Sequence, residues 1–336
     1  MTSMFGRLSA GGRVDRSQEV AFTLDGKAMR GLRGDSLASA LLANGVHLVG
    51  RSFKYHRPRG FLSAGFEEPN GLFTLGEGAR TDPNVPGTVT ELFDGLVARR
   101  QNGWPSVDVD LLALNSLVAP LLSAGFYYKT FIGPTRGSWM FYERFIRRAA
   151  GLGRGVYARN PDRYDTRNAF ADVLVIGSGP AGLAAALVAG RAGARVVIVE
   201  QDWMLGGNLL LEPTTGPAEA WRREIEAELE SLLNVTILRR TTALGVYDGG
   251  MVPLVERRDH LQPDPAAGEA RQVLVMLRAR AIVYATGATE RPMVFAEAQQ
   301  PRRIECWHSG LPGAVPCPLP GIVRDSRKAS RSRSWE

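Results

Sequence analysis

The chain has 336 residues, 44% hydrophobic and 22% charged, which is room for about two ordinary soluble domains. Its net charge of +7 is uneven, since residues 301–336 hold seven basic side chains against three acidic ones and leave the body nearly balanced. With no binding fold behind that basic tail, the charge gives no ground for a nucleic-acid partner. The two cysteines, Cys306 and Cys317, both lie in the tail and exclude a disulfide framework or a CxxC site. The N-terminus has no apolar signal-like run, and the body has no cysteine, so a cytoplasmic location is expected.

Residues 1–17 read as an arm. The stretch EVAFTLDGKAM alternates around Asp25-Gly26, the signature of a hairpin. In GDSLASALLANGV, Asp35 or Ser36 can cap a helix whose stripe is Leu37, Leu41 and Leu42, with Gly45 as its stop. Strand, turn, strand and helix open a β-grasp module of the ferredoxin kind, over 18–100. Next, GRSFKYHRPRG crowds Arg51, Lys54, His56, Arg57 and Arg59 around Phe53 and Tyr55. Two readings stand for it: an anion or partner contact, or a solvated loop paired with carboxylates elsewhere.

Residues 101–169 read as a wrapping segment rich in Gly, Pro and aromatics. Leu111 to Tyr128 carries no charge, but Asn115, Pro120 and Gly125 interrupt it. A buried segment is expected there and not a membrane span.

Residues 170–295 carry the chemistry. Val173 to Ile176 suits a buried strand and runs into Gly177-Ser-Gly179-Pro-Ala181-Gly182, then into a helix of small residues ended by Gly193. A second strand, Arg195 to Val199, ends on Glu200, 23 residues after Gly177. Gly177 permits the turn, Gly179 lets backbone approach a pyrophosphate, and Gly182 lets the helix lie close on the strand. The helix N-terminus offers free N–H groups to phosphates. Glu200 can accept from the adenosine ribose hydroxyls and would repel an extra 2′-phosphate. Gly206-Gly207 allows a second close turn, and Thr241-Thr242-Ala243 can cover an adenine. The strand ending in Ala285-Thr286-Gly287 is the pattern of two-dinucleotide flavoproteins. The fold class expected is therefore α/β, a grasp head followed by a Rossmann-type FAD/NAD(P)-binding domain. The four histidines (His47, His56, His260, His308) have no metal spacing, and no GxSxG, HExxH or P-loop occurs, so no metal site and no catalytic set is assigned.

The segments GDSLASALLANGVHLVGRSFKYHRPRGFLSAGFEEPN, AGFYYKTFIGP, RRAAGLG, the glycine motif and ATGATERP resemble the N-terminal third of the alpha subunits of heterotetrameric sarcosine oxidases. The same head occurs in opine oxidase and cyanide-forming glycine oxidase alpha subunits. The resemblance implies oxidative demethylation of sarcosine, with electrons passing through flavins to oxygen, and beta, gamma and delta subunits as partners. It implies NAD on the glycine motif, with FAD as the alternative, and FMN at the interface with a beta subunit. Carried onto this chain, the NAD contacts are Gly177, Gly179, Ala181, Gly182, Glu200, Gln201, Asp202, Asn208 and Ala243, with Thr286 and Gly287 closing the set. Some relatives hold an iron–sulfur cluster in the head; with no cysteine there, none is expected.

The resemblance stops near Phe295. The tail, 296–336, is rich in Arg, Ser and Pro, without period. Shifting codons for Pro301–Ser309 by one base permits Pro-Gly-Val-Leu-Asn-Ala-Gly-Thr, so a frameshift is the expectation. On that reading the nucleotide domain is truncated, lacks its closing strand, and leaves the chain inactive and poorly soluble alone. A non-enzymatic dinucleotide-binding or assembly module is the alternative.

Overall fold

The computed structural model describes residue 7, residues 12–117, residue 133 and residues 137–288. The tail and residues 118–128, with the expectations placed on them, lie outside these residues; of the run expected to be buried, the described Leu111, Leu114 and Leu117 are exposed. Among the described residues, no helix is long and apolar enough to cross a membrane.

The head opens with β1 (Asp15–Leu24) and β2 (Lys27–Arg33), paired antiparallel around Asp25 and Gly26. Both turn residues have positive φ, 50° and 78°, which matches the right-handed twist of the flanking strands. Helix α1 (Leu37–Ala43) follows, and its seven residues are all buried. Ser36 is the cap, its hydroxyl accepting from the Ser39 N–H at 3.2 Å. Asp35 instead ties the helix to β2, accepting from the Leu32 N–H at 2.8 Å and from the Ser39 hydroxyl at 2.7 Å. A short hairpin, β3 (Gly50–Arg51) with β4 (Pro58–Arg59), precedes β5 (Leu72–Leu75), β6 (Asp82–Pro86) and β7 (Leu96–Arg100). The sheet order is β2-β1-β7-β5-β6, with β1 and β7 parallel at its middle, which is the grasp arrangement. Phe22, Leu37, Leu41, Phe61 and Phe73 fill the space between sheet and helix.

The loop from Leu62 to Gly71 is organised by one carboxylate. Glu68 is 3% exposed, and its Oε2 accepts from the N–H groups of Leu62 and Ser63, both at 2.6 Å. Its Oε1 accepts from those of Asn70 and Gly71 at 2.7 and 3.0 Å. Burial nevertheless pushes this carboxyl above the usual range.

Helix α2 (Ser138–Ala149) leaves Met140, Phe141 and Phe145 exposed. The second sheet is then built from β8 (Arg163–Ile176), β9 (Val196–Val199), β10 (Val235–Leu238), β11 (Thr241–Ala243), β12 (Met251–Arg257) and β13 (Ala270–Tyr284). Its order is β10-β9-β8-β13-β12-β11, parallel from β10 to β13 and antiparallel beyond. Helices α3 (Pro180–Arg191) and α4 (Pro217–Ser231) cover one face through Leu183, Ala186, Ile225 and Leu229. One sequence expectation changes here. The first strand begins at Arg163, ten residues before Val173, because it is zipped to β13 along its whole length. β13 also lies beside β8, so both edges of the strand feeding the glycine motif are paired; among the described residues the sheet ends at β10 and β11.

Charged side chains clamp the head to the second sheet. Arg13 donates to the Leu210 carbonyl at 2.9 Å and to Glu219 at 2.7 Å, and Arg240 grips Glu91 with bonds of 2.6 and 2.8 Å. Arg222 first, then Arg223 and Arg13, hold the buried Glu219 carboxyl down to about 2.

Replacing Glu68 with Ala strands four N–H groups in or beside the head core, so Glu68→Ala is expected to cost about 3 kcal/mol or more. Glu68→Gln, which keeps one acceptor oxygen, should cost distinctly less. Urea unfolding of the full chain measures both, and equal losses would refute the role given to the carboxylate.

Candidate functional site

The site is assembled where three chain segments leave the second sheet on the same side. The first is the turn from β8 into α3. Gly177 has φ of +96°, and a Cβ there would stand 2.4 Å from the Ala285 carbonyl oxygen. A Cβ on Gly182 would stand 2.0 Å from the carbonyl oxygen of Gly177. These two glycines are thus consumed by backbone packing. Gly179 differs: a Cβ there would meet nothing within 4 Å. The space beside it is open, as a diphosphate approaching the backbone requires. Gly179 caps α3 with no side-chain hydrogen bond, and Pro180 opens the helix. The N–H groups of Ala181 and Gly182 therefore face the mouth without an intrahelical acceptor, at the positive end of the helix dipole.

The second segment follows β9. Glu200 is 7% exposed at the strand end. Its Oε2 accepts from the Ser178 N–H at 3.0 Å and from the Ser178 hydroxyl at 2.5 Å, and its Oε1 accepts from the Asp202 N–H at 3.0 Å. Ser178 is fully buried, and its Oγ also accepts from the Gly206 N–H at 3.2 Å. One hydroxyl so joins the glycine turn, the acid and the Gly206-Gly207 turn. Sequence reading passed over Ser178, because a serine inside a glycine motif carries no signal until its partners are seen. Gly207 brings the second turn against the first: a Cβ on it would lie 3.0 Å from the Gly179 Cα. Asn208 and Gln201 are exposed beside these turns. Asp202 is half-buried; burial first, and Glu200 second, push its carboxyl up to about 6, with Arg257 opposing.

The third segment is the end of β13. Ala285 and Thr286 run directly against Gly177, and Thr286 and the following Gly287 are exposed. β11 joins from the far side, the Thr241 N–H donating to the Glu200 carbonyl at 2.8 Å, and Ala243 lies two residues further along this edge strand. The structure therefore brings Gly177, Gly179, Gly182, Glu200 and Thr286 together at the strand ends, with Ala181 on the first turn of α3, Asp202 bonded to Glu200 through its N–H, and Asn208 and Gly287 on the adjoining turns. Gln201 and Ala243 stand at its border. Among the described residues, no group of three or more His, Cys, Asp or Glu could hold a metal.

Comparison with known proteins agrees with this geometry. Residues 172–279 match the family described as FAD dependent oxidoreductase. The chain is 52% identical over 298 residues to the alpha subunit of sarcosine oxidase from Rhizobium meliloti, a match covering 88% of this chain and 30% of that one. Over most of its length, the chain is similar to sarcosine oxidase alpha subunits. That of Corynebacterium sp. strain U-96 is 35% identical over 87% of this chain and 26% of its own length. An opine oxidase subunit from Agrobacterium tumefaciens is 36% identical over 37% of this chain and 25% of its own. The chain thus spans about a third or less of the relatives it matches.

One expectation is corrected. Residues 17–103 match the family described as 2Fe-2S iron-sulfur cluster binding domain, which contradicts the expectation of a ferredoxin-like head without an iron–sulfur cluster. That expectation rested on counting thiolates, whereas the match runs over the whole grasp sheet from β1 to β7. The residues present do not supply cysteine donors for a cluster, since the chain's two are Cys306 and Cys317.

Two outcomes follow from the site's packing and charge. Gly182→Ala forces a carbon into the Gly177 carbonyl and should destabilise the fold by about 1–3 kcal/mol, read by thermal unfolding; an unchanged melting temperature would refute the close approach. The Asp202 carboxyl ionises less readily folded than at its ordinary 3.8, so its contribution to stability is full below about pH 4 and lost as pH rises through about 6. Urea midpoints measured across that window should slope downward in the wild type and flatten in Asp202→Asn.

Proposed function

We propose that the chain is the dinucleotide-holding part of an oxidoreductase of the sarcosine oxidase type, with NAD on the glycine turn. The observation that carries this reading is the open space at Gly179 between the bare α3 terminus and the buried Glu200. The Ala181 and Gly182 N–H groups would take the diphosphate, and Glu200 and Asp202 the adenosine ribose. Glu200 has accepting capacity left beyond its bonds to Ser178 and Asp202. Two carboxylates at the ribose disfavour a 2′-phosphate, which supports NAD over its phosphorylated form. The similarity to sarcosine oxidase alpha subunits supports oxidative demethylation of sarcosine as the activity of the assembled enzyme, with further subunits as partners and the chain inactive alone. When bound, a nicotinamide or flavin dinucleotide supplies two-electron redox chemistry. The residues of this chain bind and orient it.

FAD is the second reading, favoured by the family matched over residues 172–279. Heat-releasing the ligand from the purified full chain separates the two. NAD in the supernatant by enzymatic cycling supports the first reading, flavin fluorescence supports the second, and neither, even after reconstitution, contradicts both. Glu200→Gln should weaken retention of either by about tenfold, one charged hydrogen bond's worth.

A further inference from the structure

The β3–β4 hairpin was read from sequence either as an anion contact or as a loop paired with carboxylates. The structure separates its residues into two sets. His56 and Arg51 point inward as anchors. His56 is 1% exposed with positive φ, its Nδ1 lying 2.6 Å from Asp110 Oδ2 and its Nε2 3.2 Å from the Ala149 carbonyl. Arg51 donates to the carbonyls of Val107, His56 and Asp108 at 2.8, 3.2 and 3.2 Å. The loop itself is closed by Ser52, whose hydroxyl accepts from the Arg57 N–H at 2.9 Å and whose carbonyl accepts from the His56 N–H at 3.0 Å. The hairpin is therefore a fixed platform.

Its outward set is cationic. The Arg57 guanidinium carbon lies 5.0 Å from the Tyr55 ring centroid, and the Lys54 ammonium 4.9 Å from the same ring. Arg59 is half-buried, and among the described residues no carboxylate or carbonyl meets the guanidinium of Arg57 or Arg59. Elsewhere half-buried guanidiniums are matched: Arg100 with Asp25 and Asp108, Arg240 with Glu91, and Arg271 with Asp162 and Asp259. Burial first, and Arg57 second, hold Arg59 below the usual arginine range, so the two cations repel across a partly desolvated surface. Such a pair is left costly unless an anion joins it.

We propose that this platform binds a phosphate-type dianion between the Arg57 and Arg59 guanidiniums. A carboxylate brings one charge and satisfies one guanidinium fork; two guanidiniums two residues apart on one fixed hairpin suit a tetrahedral dianion with several oxygens. The site lies on the head and is distinct from the glycine turn. It does not depend on the dinucleotide reading.

The test is calorimetric titration of the full chain at low ionic strength with inorganic phosphate, phenyl phosphate and acetate, in the wild type and in R57Q, R59Q and G179A. One saturable phosphate site in the wild type and in G179A, weakened about tenfold or more in R57Q and R59Q, is the expected result. Arg57 is exposed, so R57Q carries the test even where R59Q perturbs the fold. Tighter binding of phenyl phosphate than of phosphate identifies the source as a ring-bearing monoester, and equal binding identifies free phosphate. The proposal is overturned by an absence of saturable binding, by wild-type affinity in both arginine variants, by acetate binding as tightly as phosphate, or by loss of the site in G179A alone.

Discussion

The close approach of backbone to backbone at the end of β8 is the constraint on which the rest of the site depends. A Cβ at Gly177 would collide with the strand end of β13, and one at Gly182 with the Gly177 carbonyl. Only with both positions bare can α3 begin directly above the sheet and aim its first N–H groups at the space beside Gly179. The third glycine has open space beside it instead. A motif that looks like three equivalent glycines therefore divides into two that hold backbone together and one that leaves room.

The electrostatics follow from that packing. Placing Glu200 at the end of β9 buries a carboxylate, which is costly unless hydrogen bonds compensate. Ser178 provides two of them and relays a third contact to Gly206. Asp202, two residues on, lacks such donors to its carboxylate, and burial first and Glu200 second push it up to about 6. The two acids of this turn are thus unlike: Glu200 is held by three hydrogen bonds, and Asp202 titrates at about 6.

Much of this was legible in the sequence, and the reasons for what was missed are physical. The strand–glycine–helix run, the acid 23 residues on and the hairpin at Asp25-Gly26 all express backbone requirements, and those leave marks in residue type. Ser178 and Glu68 act by where their oxygens point, so their partners, distant in sequence or only loosely fixed by spacing, could not be read. The first ten residues of β8 were missed because one partner strand and exposed side chains hold them, leaving no apolar period to see. The ferredoxin-like strand order of the head was legible from its hairpin and helix, whereas the expectation of no cluster, drawn from counting cysteines alone, is contradicted by the 2Fe-2S family match over residues 17–103.

The most direct test of the central claim is calorimetric titration of the full chain with ADP, the portion common to both dinucleotides, in the wild type and in Gly179→Ala. The added methyl meets no protein atom, so the account predicts an unchanged melting temperature and loss of a one-to-one ADP site. Equal ADP affinity in the two chains would contradict it.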